Sequence, residues 1–406
     1  MQNETKKVAI INSVLDYGST GTLARGLYEF GKTNGYDPFV FYGRGEKKSG
    51  NNIFRIESPL EVYIHKSLTL LTGNQGGYSV AATKRMVSMF EKENIRNFIL
   101  LCIHGYYLNE TILMKYLRNH SDKVVFVTSD EYAGVGKCCF NGGCIKYQTE
   151  CSDCPQIRSY PKSLFFDKSG TIFKRKKEYY DGFDNICFVG PRTNIEVFRR
   201  SALIKNKTSM EIDWGIDLDR YKYSYNEKLY EKYNIPKNRI YILVVAKYSD
   251  SRKGVSQFFF PLAKKMEGSR FHFVNVGYDG RLGKDDIPSN VTLIDYISDQ
   301  DELSELYSLC DYYLCTSIEE TQPIACLISV ACGTPVLCFN TSGLRSIGDG
   351  ESAAIKYIDA MNIEAMAATL SGLNKKDDDI MNTCRAYAEK RFSRNMFNKK
   401  IYELIG

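Results

Sequence analysis

Four histidines and ten prolines are all that 406 residues hold of those types, and no apolar run is long. The longest apolar stretches, such as YILVVA at Tyr241 to Ala246, fall far short of the ~20 residues a helix needs to cross a bilayer, which excludes a membrane span. Four histidines barely supply the carboxylate and histidine set that an epimerase of nucleotide sugars would need. Prolines are too few for a disordered chain, and 43% hydrophobic with 25% charged residues is the make-up of an ordinary folded protein. Charge of one sign is in only mild excess, a net +6, so no nucleic-acid partner is expected. The G-x-G-x-x-G dinucleotide fingerprint and the P-loop pattern are both missing, which removes support for a nicotinamide or an ATP site.

The opening MQNETKKVAII sets a charged tip directly before a strand-length apolar run, with no signal-peptide core and no small-residue cleavage site. Thirteen cysteines are an odd number. Most sit singly in apolar runs, as Cys187, Cys326, Cys332 and Cys338 do, where a thiol behaves as a small hydrophobe. The expectation is a reducing, cytoplasmic setting. The basic run Lys174, Arg175, Lys176, Lys177 reads either as a solvated helix face or as contact with an anionic ligand or the inner membrane surface.

A chain of this length divides naturally into two domains of about 200 residues. VAIINS, the glycine-bearing turn Asp16 to Gly21 and a helical pattern from Leu23 to Lys32 make a strand, turn and helix, the first unit of a doubly wound sheet. DPFVFYG, NFILLCI and KVVFVTS continue it as strands. After MEIDWGID the pattern restarts with YILVVAK, a helix from Ser256 to Met266, and FHFVNVG, VTLIDY, DYYLCTS and TPVLCFN. The sequence predicts an α/β protein of two Rossmann-like domains facing a central cleft. Residues 1–206 form the first, with a cysteine-rich loop over 137–160; residues 207–390 form the second; a final helix over 391–406 crosses back to the first.

Ligands of such sheets bind at the carboxyl ends of the strands, where helix N-termini and glycine turns offer N–H groups to anions. In the first domain the turn YGSTGT places Gly18 and Gly21 there, as a ligand contact or merely a turn. In the second, YSDSRKGVSQF carries Lys247, Arg252 and Lys253 at the mouth of a helix, a pattern suited to a diphosphate. A later strand ends at the acidic pair Glu319 and Glu320, which either hold sugar hydroxyls or lie in a solvated turn. The loop Asn340 to Ser346 follows the next strand, and Ser342 and Gly343 can offer backbone N–H groups.

With IINSVLDYGSTGTLARGL, FYGRG, IHGYYLNETIL, CSDCPQIRSYPKSLFFDKSG, WGIDLDRY, SRKG, ELYSLCDYYLCTSIEE and ACGTPV in this order, the chain resembles the retaining glycosyltransferases of family 4, which have the GT-B fold, and within them the colanic-acid and capsule-type branch. The resemblance implies transfer of a hexose-type sugar, with retention, from a nucleotide-diphosphate sugar to a lipid-linked or oligosaccharide acceptor in bacterial capsule or exopolysaccharide synthesis, at the inner face of the cell membrane. It ranks a UDP-sugar first as donor and a GDP-sugar next, and implies no catalytic metal. It assigns Lys253, with Lys247 in place of the usual arginine, to the diphosphate. Glu320, or its neighbour Glu319, falls to the donor sugar, and Thr321, Gln322 and Pro323 also line the donor. His104, Asp130, Glu131 and Tyr106 line the acceptor side. Two positions depart from the pattern: Ile328 stands where a second glutamate holds the ribose, and Ser129 where a histidine contacts the transferred sugar. These losses keep open a second reading, a catalytically silent partner that binds a sugar nucleotide or glycan.

Cys138, Cys139, Cys144, Cys151 and Cys154 share one polar, glycine-rich segment. Cys139, Cys144, Cys151 and Cys154 read as four thiolates around a structural zinc, with a disulfide or free thiols as alternatives.

Overall fold

The computed structural model describes residues 6–283, 286–348, 350, 352–359 and 361–406. They divide into two compact units, Met1–Ile212 with Asn395–Gly406, and Asp213–Arg394.

The first unit runs β1 (Lys6–Val14), α1 (Gly18–Thr33), β2 (Tyr36–Arg44), β3 (Ile53–Arg55), α2 (Pro59–Thr72), α3 (Val80–Lys92), β4 (Asn97–Leu100), α4 (Glu110–His120), β5 (Lys123–Val127), α5 (Ser169–Tyr180), β6 (Ile186–Gly190), α6 (Arg192–Arg200) and β7 (Thr208–Glu211). The second runs α7 (Lys228–Lys232), β8 (Ile240–Val245), α8 (Phe260–Lys265), β9 (Phe271–Val276), β10 (Val291–Ile294), α9 (Gln300–Leu309), β11 (Tyr312–Cys315), α10 (Ile324–Ala331), β12 (Val336–Phe339), α11 (Ser342–Arg345), β13 (Ile355–Ile358), α12 (Ile363–Ser371) and α13 (Asp378–Arg391). A last helix, α14 (Arg394–Ile405), closes the chain.

Strands β4, β9 and β12 are buried at every residue, as expected of parallel strands covered on both faces. Helix boundaries follow local chemistry. Ser58 and Glu61 form a capping box ahead of α2 with Pro59 in its first turn, and Gly73, at φ 74°, ends it. Over 256–266 the chain makes a wide π turn, Val255–Phe259, before α8; Pro261 has no N–H with which to continue a regular helix. Strand β4 stops short of the expected NFILLCI because the Asn12 side chain takes over as acceptor for Cys102 N, at 3.1 Å.

The two sheets share one plan. The first has the order β3-β2-β1-β4-β5-β6-β7 and the second β10-β9-β8-β11-β12-β13, parallel throughout. Strand order reverses between β1 and β4, and between β8 and β11, and such reversals open a crevice beyond the strand ends. Strand β7 pairs with β6 and so carries the first unit past residue 206 to Ile212. From Asn395 onward α14 belongs to the first unit: Tyr402 Oη donates to Leu27 O at 2.9 Å and Asn398 Nδ2 to Gly26 O at 3.1 Å.

Candidate active site

The loop after β8 and the loop after β11 meet at the reversal point of the second sheet. Gly254, at φ 67°, turns the first loop so tightly that a Cβ there would lie 2.1 Å from Thr316 O; only glycine fits. Thr316 Oγ1 donates to Lys253 O at 2.7 Å, Ile318 N to Arg252 O at 2.9 Å, and Arg252 Nη1 to Glu319 O at 3.0 Å. Three residues of one loop, Arg252, Lys253 and Gly254, are thereby fixed beyond the end of the neighbouring strand.

That framework sets two cations on one carboxylate. Lys253 Nζ lies 2.5 Å from Glu320 Oε1 and Arg252 Nη1 lies 3.3 Å from Oε2. Glu320 is 7% exposed, whereas the two cationic side chains keep about a third of their surface in solvent, 29% and 32%. Burial pushes the Glu320 carboxyl up, yet Lys253 and Arg252 outweigh burial and hold it below the ordinary glutamate range. A buried carboxylate behind two accessible cations can orient them toward an anion arriving from solvent.

Gly343 packs on the same carboxylate's backbone, since a Cβ there would fall 1.5 Å from Glu320 O. Ser346 Oγ donates to Gly343 O at 2.7 Å and to Thr321 O at 3.3 Å, joining the loop after β12 to the loop after β11. The Ser342 side chain lies outside the described residues. Thr321 is buried, with its Oγ1 lacking a partner among the described residues, and Pro323 caps α10.

Two residues differ from their expected roles. The Gln322 amide is spent inside the unit, accepting from Trp214 N at 2.7 Å and donating to Asp213 Oδ1 at 3.0 Å; it positions the loop and has little left for a ligand. Lys247 opens the loop and is exposed. Ile328 is 6% exposed within apolar α10, so that position is a packing site. Thr316, Gly254 and Ser317, which hydrogen-bonds Glu320, escaped the sequence reading; the only signal was that they abut a strand end or the lysine.

In the first unit Gly18, at φ 64°, opens α1 with open space around it, and Gly21 is buried against Asp16 and Val14. His104, 7% exposed, lies beyond β4 with Nε2 at 2.7 Å from Asp130 Oδ2 and Nδ1 at 3.3 Å from Tyr160 Oη. Burial pulls the His104 ring down, but Cys102, Cys139 and Asp130 carry it well above its ordinary value, and His104 in turn keeps Asp130 low against burial. Ser129 Oγ donates to Asp130 at 3.3 Å. Glu131 faces inward, accepting from Asn141 N at 2.6 Å and Nδ2 at 2.8 Å, and Tyr106 stands edge-on to Tyr160. The structure thus brings His104, Asp130 and Tyr106 together and sets Glu131 to bracing the cysteine loop.

The four expected zinc ligands are split. Cys139 is 5% exposed and turned to His104, its sulfur 3.7 Å from Nε2. Cys138 instead lines a cavity with Cys144, Cys151 and Cys154. Adjacent side chains of a non-helical segment point to opposite sides, which spacing alone did not resolve. The basic run is also divided. Lys174 and Lys177 are exposed, Arg175 Nη1 donates to Asn74 Oδ1 at 2.7 Å, and Lys176 is fully buried.

Residues 226–391, within the second unit, match the family model of glycosyl transferases, group 1. An 83-residue stretch is 31% identical to a protein assigned as the colanic acid biosynthesis glycosyl transferase WcaC of Escherichia coli (strain K12), covering 19% of this chain and 20% of that relative. Sucrose-phosphate synthase from Thermosynechococcus elongatus has a similar structure, with TM-score 0.68, 16% identity and 98% of each chain covered. Anabaena HepE in complex with UDP gives TM-score 0.63 at 14% identity, again over 98% of each chain. At these identities the likeness shows the fold: two Rossmann-like α/β domains of the GT-B type.

Proposed function

We propose that this protein is a retaining hexosyltransferase that moves a sugar from a nucleoside-diphosphate donor to a lipid-linked glycan in surface polysaccharide synthesis. The observation that carries the reading is the Lys253, Arg252 and Glu320 cluster at the reversal point of the second sheet. As the bond to the anomeric carbon breaks, negative charge grows on the departing diphosphate. Cations already fixed by the hydrogen bonds of Thr316, Ile318 and Glu319 stabilise that charge without reorganising. The diphosphate meets the solvent-facing sides of Lys253 and Arg252, while Glu320 keeps both cations oriented from behind and offers its carboxylate to donor hydroxyls.

HepE is solved with UDP-glucose, which favours a UDP-sugar, ahead of a GDP-sugar, as donor here. The first unit, with His104, Asp130 and Tyr106, takes the acceptor in this reading. Exposed apolar side chains of α2, namely Leu60, Tyr63, Ile64 and Leu71, with Phe165 and Phe166 in the same unit, and the exposed Lys174 and Lys177, support an acceptor presented at a membrane surface. Zinc, where bound, belongs to the cysteine loop and takes no part in the chemistry. Burial of Ile328 favours the second reading, a silent sugar-nucleotide binder, because no carboxylate is there for the ribose.

The test is turnover of a panel of UDP- and GDP-sugars with glycan acceptors, in the wild type and in Lys253→Ala. The expected result is transfer from one donor, with kcat lowered about 10²- to 10³-fold in the variant, the loss typical of removing one preorganised stabiliser. Undiminished transfer by folded Lys253→Ala refutes the diphosphate assignment. Binding of a donor without turnover on any acceptor establishes the silent binder.

A further inference from the structure

The loop between β5 and α5 spans residues 128–168 and holds structure that transfer chemistry does not use. Its cysteines follow the pattern C-x5-C-x6-C-x2-C over Cys138, Cys144, Cys151 and Cys154. All four line one cavity of ≈ 20 Å³, about the space of a single small ion or water.

We infer that Cys138, Cys144, Cys151 and Cys154 form a four-thiolate zinc site that fixes the fold of this loop. Cys139 is excluded from it, being turned to His104.

Three observations beyond the cysteine count support the assignment. Two of the cysteines are already held in place by their surroundings: Cys154 N donates to Asp167 Oδ2 at 2.7 Å, and Cys151 packs on the backbone of Gly136. Cys151 sits so close to Gly136 that a Cβ there would lie 3.1 Å from Sγ. The turns that bring the thiols together also need unusual backbone: Gly142, Gly143 and Asp153 all have positive φ, at 56°, 80° and 43°.

The third observation is charge. Lys137, 2% exposed, lines the same cavity. Its ammonium donates to the carbonyl oxygens of Gln156, Ile157 and Ser159 at 3.3 to 3.5 Å, with the charge of the Asp167 carboxylate also acting on it. A buried ammonium is stabilised by negative charge added beside it. Four thiols that release four protons to solvent and bind Zn²⁺ leave a site of net charge −2, which supplies it.

No three of the four sulfurs lie within 4.8 Å of one another; among the described residues that closeness belongs to His104, Asp130 and Cys139. There, however, His104 and Asp130 already satisfy each other at 2.7 Å. Zn–S bonds of about 2.3 Å put sulfurs about 3.8 Å apart, so metal binding draws the four thiols inward by rotation about Cα–Cβ. A four-sulfur site has no open coordination position, and its role is structural.

The experiment measures zinc per chain in the full-length protein, purified with zinc present and without chelator, in the wild type, Cys138→Ser and Cys139→Ser. One equivalent is expected in the wild type and in Cys139→Ser, and at least a tenfold loss in Cys138→Ser. As a readout independent of how the variants fold, wild-type protein refolded with cobalt(II) should show the intense visible and near-ultraviolet sulfur-to-metal bands of a tetrahedral tetrathiolate. Wild type with less than a tenth of an equivalent, four titratable thiols unprotected by zinc, or zinc lost from Cys139→Ser and kept by Cys138→Ser each overturn the assignment.

Discussion

Beyond β1 and β4 of the first unit, and beyond β8 and β11 of the second, the chain reverses its strand order and offers the same place for a ligand. The two places are furnished differently. In the second unit a short loop presents Lys253 and Arg252 to solvent in front of a buried carboxylate. In the first, the ionisable groups face inward on one another: His104 on Asp130, Cys139 on His104, Glu131 on Asn141. One strand order thus supports a cationic rim over a buried carboxylate in one unit and a closed polar cluster braced by a cysteine loop in the other, and the difference lies wholly in the loops.

The glycine turns after β1 and β8 give the most severe test of that comparison. Gly254 and Gly18 have nearly the same φ, 67° and 64°, but Gly254 abuts Thr316 O and Gly18 faces open space. Gly254→Ala should cost about 2–4 kcal/mol in urea unfolding and weaken nucleotide binding with it, whereas Gly18→Ala should cost about 1 kcal/mol. Equal losses would mean that the two turns are built alike.

A smaller effect separates the buried carboxylates. Glu320 is held ionised by two cations, whereas Glu57, 4% exposed in the first unit, has an Oε2 without a partner among the described residues, and burial pushes it up to about 7. A carboxyl whose folded pKa lies above its unfolded value contributes stability that is complete below the unfolded pKa and is lost as pH rises through about 7. Glu57→Gln should therefore raise stability by about 1–2 kcal/mol at pH 8 and change it little at pH 4, as read from denaturant midpoints at the two pH values. A gain of the same size at both would remove the titration from the account.

The sheets were legible because a strand buried on both faces must be a run of apolar residues. YILVVAK, FHFVNVG and TPVLCFN could hardly be anything else. The short strands β3, β7 and β13 were not, since three or four residues at a sheet edge carry little periodicity. In the site, Lys253 and Glu320 were legible from position at strand ends. What tertiary contact alone decides was not. Which of Cys138 and Cys139 faces the cavity depends on the turn of one peptide, and Gln322 is drawn inward by Trp214 N. The basic run at Lys174 looked uniform until the fold buried Lys176.

Hydrogen exchange of the full chain with and without a saturating nucleoside diphosphate tests the central claim most directly, because it locates the bound diphosphate. The account predicts slowed exchange over residues 247–254 and 316–322, where Lys253, Arg252 and Glu320 meet. Slowing confined to the Gly18 turn and the His104 cluster, with the Lys253 loop unchanged, would contradict it.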